Sequence, residues 1–93
     1  MPFPFDRFEG MTMFDDKGEV KRLVDRLIQD RDPDVVIDRL RKMDFSYIFT
    51  LSKQGKLREV EFTRSEIDAS WDWRNGNIDE TVRKKVANTI AKF

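Results

Sequence analysis

The chain has 93 residues with eighteen basic and eighteen acidic side chains, so its formal charge is zero. A chain this short folds as one domain and buries only about 60–65% of its unfolded surface. Eight Phe, two Trp and one Tyr exclude a disordered polar chain, and the absent net charge argues against general attraction to nucleic acid or anionic membrane. No cysteine and no histidine occur, which removes disulfides, thiolate chemistry and every Ser-His or Cys-His nucleophile system. No apolar run approaches the roughly 18 residues of a membrane span. MPFPFDRF lacks a cationic-then-apolar leader pattern. A cytoplasmic, non-membrane protein is expected.

Residues 1–14 contain Pro2 and Pro4, which oppose helix. Phe3, Phe5 and Phe8 are too apolar for an idle tail and suggest an extended arm that packs on the domain or on a partner. Met11 to Phe14 offers a short strand. Asp16 with Glu19 three residues on has capping-box spacing. Val20, Leu23, Val24, Leu27 and Ile28 then form one apolar stripe of an amphipathic helix. Asp32-Pro33 reads as a second N-cap with proline at the first helical position, so a short helix is expected from Pro33 to Met43. Its inner stripe would be Val36, Leu40 and Met43, with Ile37 alongside.

The segment 44–63 predicts a β-hairpin that organises the rest. Phe45, Tyr47, Phe49 and Leu51 alternate with Ser46, Ile48, Thr50 and Ser52, and Val60 and Phe62 alternate with Glu59 and Glu61. A two-residue turn at Gln54-Gly55 pairs Phe49 with Val60, Tyr47 with Phe62, Thr50 with Glu59 and Ile48 with Glu61. A one-residue slip would set aromatics against glutamates. Thr63 and Glu66 have capping-box spacing for a short helical turn. Trp71 and Trp73, two apart, share a face only in extended chain. Asn75-Gly76 marks a turn, and Asn77 caps a last helix whose stripe is Val82, Val86, Ile90 and Phe93.

These elements assemble into a single α+β domain over 1–93. A small antiparallel sheet built on the hairpin would be covered by three amphipathic helices in two layers. No catalytic, cofactor or metal constellation stands out. Asn75 to Glu80 resembles the middle of an EF-hand loop, but Trp71, Trp73 and Val82 would occupy ligand positions. Asp30, Asp32 and Asp34 are explained as cap and helix-end residues.

Two readings of function lead, ahead of a carboxylate-based enzyme that would need two acids brought together in a cleft. The first is a non-enzymatic protein-interaction domain, an adaptor, regulator or accessory subunit, with self-association as an option. Its contacts would be Phe3, Phe5, Phe8, Trp71 and Trp73, since aromatic side chains exceed what so short a chain can bury. The second comes from DPDVVIDRLRKMDFSYIFTLSKQGKLREVEFT, which resembles the helix-turn-helix plus wing of winged-helix regulators. That resemblance implies Pro33–Met43 as recognition helix, with Arg39, Arg41 and Lys42 meeting DNA, and Lys53, Lys56 and Arg58 at the wing tip. It ranks second because the chain is neutral and Asp32, Asp34 and Asp38 would face phosphates.

Overall fold

The computed structural model describes residues 13–93. The expected arm and its Phe3, Phe5 and Phe8 lie outside the described residues. The described residues open with a 3-10 turn at Met13–Asp15 and continue into α1 (Lys17–Arg31). Three strands follow, β1 (Val36–Lys42), β2 (Ser46–Lys53) and β3 (Lys56–Thr63), then a short α2 (Arg64–Asp68). A second 3-10 turn at Trp73–Asn75 leads to α3 (Glu80–Ala91). The strands form one antiparallel sheet in the order β1-β2-β3. The fold is a small α+β domain.

The hairpin has the register that the alternation requires. Phe49 pairs with Val60, Tyr47 with Phe62, Thr50 with Glu59 and Ile48 with Glu61. Gln54 and Gly55 take φ of 52° and 81°, positive at both central residues as a type I′ turn demands. Tyr47, Phe49, Leu51 and Phe62 are fully buried. Phe49 meets Phe62 edge-on with centroids 5.7 Å apart, and Phe14 meets Tyr47 at 4.9 Å. The Tyr47 hydroxyl donates to the Phe14 carbonyl at 2.5 Å. Burial and the Asp15 and Asp16 charges push the Tyr47 phenol pKa upward, so it stays a donor.

Val36–Lys42 corrects the expected second helix. The third strand is this segment, and not Met11 to Phe14, whose described part is the 3-10 turn with Phe14 buried. Asp32-Pro33 opens a β-turn: the Val35 amide donates to the Asp32 carbonyl at 3.1 Å, with proline at the favoured second position. The Asp32 carboxylate accepts from the Asp34 amide at 3.1 Å and from Lys53 Nζ at 2.5 Å. The β-branched run Val35-Val36-Ile37 then extends as its propensity favours.

The helix-like spacing has a specific origin. Ile37 pairs with Leu51 and Leu40 with Phe49, and the register shifts between Ile37 and Arg39. Asp38 is the extra residue of a bulge, so two inward residues stand three apart, a spacing that imitates a helical stripe. A third strand also gives the hairpin the support that two strands alone lack.

The apolar stripe of α1 is buried along its length and joins Val35, the inward strand residues, Ile67, Val82 and Val86 in one core. Asp16 caps α1 by accepting from the Glu19 amide at 3.1 Å. The Thr63 capping box on α2 is complete, with Thr63 N donating to Glu66 Oε1 at 2.8 Å and Glu66 N to Thr63 Oγ1 at 3.3 Å. Asp79, not Asn77, caps α3, accepting from the Thr81 amide at 3.0 Å. The Asn77 side chain instead donates to Asp72 at 2.6 Å, which ties down the turn before the helix. Among the described residues no helix is long and apolar enough to cross a membrane.

Candidate protein-binding surface

Alternation sends the residues between the core positions to the outer side of the sheet. The pairings give three rows across it: Val36–Ser52–Leu57, Arg39–Thr50–Glu59 and Arg41–Ile48–Glu61. The outer face therefore has a basic edge on β1, an uncharged centre on β2 and an acidic edge on β3. Arg39, Arg41, Glu59 and Glu61 are exposed, whereas Thr50 in the centre is shielded. The Arg41 guanidinium reaches across β2 to Glu59 at 3.5 Å, both side chains remaining about half exposed. Long stems lying over the central strand account for that shielding. In the end row Val36 and Leu57 are 52% and 54% exposed.

The inner ends of the strands are tied within the chain. Lys42 lies on the inner side, with Nζ 3.8 Å from Asp15 and 5.3 Å from the Phe14 ring centre. The hydrogen bond between Lys53 and Asp32 is the main cause that lowers the Asp32 pKa and raises that of Lys53. Arg58 folds over Phe93, 6.0 Å from the ring centre, and donates to the Lys92 carbonyl at 3.3 Å. Lys56 stays exposed at the turn. These placements break up the expected DNA-reading set. Pro33–Met43 is turn and strand, Arg39 and Arg41 lie on the outer face, and Lys42 turns inward. The recognition helix does not exist, and two of the tip cations are engaged within the fold.

The tryptophans separate as well. Trp71 is 72% exposed while Trp73 is 5% exposed, because the chain turns through them instead of extending. Arg74 lies 4.5 Å from the Trp73 ring centre and Arg26 5.9 Å. Arg74 also makes a bidentate contact to Glu19, whose other partner is Arg22. The Arg74 hydrogen bond is the main reason that the Glu19 carboxyl titrates below its ordinary range. Trp73 is thus a wedge between the second 3-10 turn and α1. Its indole Nε1 has no hydrogen-bond partner among the described residues.

Four exposed apolar residues escaped the sequence reading. Leu57 carries no signal beyond its parity opposite Ser52. Val36 reads as an inward helix residue. Phe45 has the parity of Tyr47, yet it lies beyond the end of β2 and is 74% exposed. Met43, in the same connection, is also exposed.

Chemistry-bearing clusters are sparse among the described residues. No three acids gather as a metal-holding group. Two open hollows, about 270 and 380 Å³, are lined by Lys21, Arg22, Asp25, Val36 and Ile37, and by Leu27, Asp30, Arg31, Arg83 and Val86. Comparison with family models, curated proteins and solved structures finds no match.

Proposed function

We propose that the chain is a small protein-interaction domain, a cytoplasmic adaptor, regulator or accessory subunit that works without catalysis. In this reading α1 and α3 form a single layer on the inner face of the sheet, which leaves the outer face for a partner. The observation that carries it is the composition of that outer face. A solvated face of an antiparallel sheet normally alternates to polar residues. Here Val36, Ile48 and Leu57 stand among the charges, with Val36 and Leu57 half exposed. Phe45 and Trp71 add exposed aromatic anchors of the kind enriched at binding hot spots. Trp73 leaves the contact set because it is spent in the core; Phe3, Phe5 and Phe8 remain in it on their sequence alone.

Affinity capture from native lysate tests the proposal. Wild type, Val36→Ser/Leu57→Ser and Phe45→Ser/Trp71→Ser would serve as baits, each checked for an unchanged circular dichroism spectrum. The expected result is a protein recovered by wild type and lost with at least one double variant. Identical recoveries from all three baits would contradict it.

A further inference from the structure

We infer that the partner of the outer face is a second copy of this chain, docked sheet to sheet about a two-fold axis parallel to β2. This rests on the interaction reading above and adds the identity and geometry of the partner. The argument is one of symmetry. A two-fold axis lying between two sheets and parallel to the central strand preserves position along the strands and exchanges left for right. The β1 edge of one copy then lies over the β3 edge of the other. Because Arg39 and Glu59 share a row, and Arg41 and Glu61 share the next, each arginine meets the corresponding glutamate of the second copy. Val36 meets Leu57 in the end row, while Thr50 and Ile48 meet their own copies on the axis. Four opposite-charge contacts and three apolar ones, two of Val36 with Leu57 and one of Ile48 with itself, arise from a single rotation, as an isologous interface requires.

The alternatives place like with like. An axis in the same plane but perpendicular to the strands lays β1 on β1 and sets arginines against arginines. Edge-to-edge pairing through β3 brings Glu59 and Glu61 beside their own copies. Pairing through β1 meets the bulge at Asp38, a feature that interrupts edge ladders. Aligned packing at about −30° between sheets inclines each β2 only about 15° to the axis, so the same rows still face each other.

The expected dimer is weak. Three strands about 4.8 Å apart and about 25 Å long present roughly 350 Å² per copy, so about 700 Å² is buried in total, below the roughly 1,200 Å² of stable complexes. The dissociation constant should accordingly lie in the weak, micromolar-or-higher range of transient encounters. It should rise several-fold between about 50 and 500 mM salt, because the contacts are ionic and partly exposed.

Sedimentation equilibrium of the full chain between about 10 and 500 µM tests this range. Arg39→Glu/Arg41→Glu and Glu59→Arg/Glu61→Arg should each lose dimerisation, roughly tenfold or more. Mixing those two variants should restore it, since every contact between them is again of opposite sign. The fourfold exchange Arg39→Glu/Arg41→Glu/Glu59→Arg/Glu61→Arg keeps the cross-strand pairing within the chain. It should dimerise with itself and not with wild type, and it decides the question even where a double variant folds poorly.

A wild type that is monomeric throughout overturns the inference, whether residues 1–12 of the same chain or a different protein takes the face. Capture of a different protein through Val36 and Leu57 would then leave the interaction reading standing. Dimerisation of the fourfold variant with wild type would overturn the axis.

Discussion

The two faces of the sheet are built from the same three strands and differ in what supports them. On the inner side Tyr47, Phe49, Leu51 and Phe62 are buried in one core with residues of α1, α2, α3 and the 3-10 turn at Met13–Asp15. On the outer side the same strands carry two arginines, two glutamates, Val36 and Leu57 with no element of the described chain sealing them. The inner face is closed by contacts made within one chain, and it accounts for folding. The outer face carries mostly exposed charged residues and the half-exposed Val36 and Leu57. Substitutions should therefore separate cleanly: inner changes should move stability, and outer changes should move association.

The largest effect is expected at the centre of the inner face. Phe49→Ala should cost about 3–5 kcal/mol, because the ring is fully buried against Phe62 and leaves a cavity. Since small domains have about 5–15 kcal/mol in all, urea melts should show a sharply lowered midpoint. Tyr47→Phe keeps the ring and removes the hydroxyl bond to the Phe14 carbonyl. It should cost about 1–2 kcal/mol in the same measurement, largely from the unpaired buried acceptor.

A smaller effect concerns the tie beneath α2. Burial acts upward on the Glu66 pKa, but hydrogen bonds from Lys85 at 2.8 Å and from Thr63 outweigh it, and the net shift is below the ordinary 4.5. A carboxylate whose folded pKa is depressed adds stability that is complete above 4.5 and is lost as pH falls through the folded value. Thermal melts of wild type should therefore weaken below about pH 4.5 more steeply than those of Glu66→Gln. Equal slopes would remove this contribution. Arg41→Gln should be the mildest, within about 0.5 kcal/mol of wild type in stability, since its ion pair with Glu59 is exposed.

The inner face was legible in the sequence because its register is over-determined. Phe49, Val60, Tyr47 and Phe62 agree with one turn at Gln54-Gly55 and with no other. The α1 stripe and the Thr63 capping box were legible for the same reason, periodicity and local chemistry pointing one way. β1 was not, because one bulged residue at Asp38 gives Ile37 and Leu40 a helical interval, and Asp-Pro opens turns as readily as helices. The tryptophan pair misled because spacing says nothing about a chain that turns between its members. The rows of the outer face needed all three strands in register. They became readable only once β1 was known to be a strand.

Concentration-dependent amide shifts of the isotope-labelled full chain test the central claim most directly. Between dilute and concentrated solution, shifts should concentrate on Val36, Arg39, Arg41, Ile48, Thr50, Leu57, Glu59 and Glu61, with the inner-face amides unmoved. Shifts confined to Phe45, Trp71 or the helices, or no shifts at any concentration, would contradict the assignment of the outer face as the docking surface for a second copy.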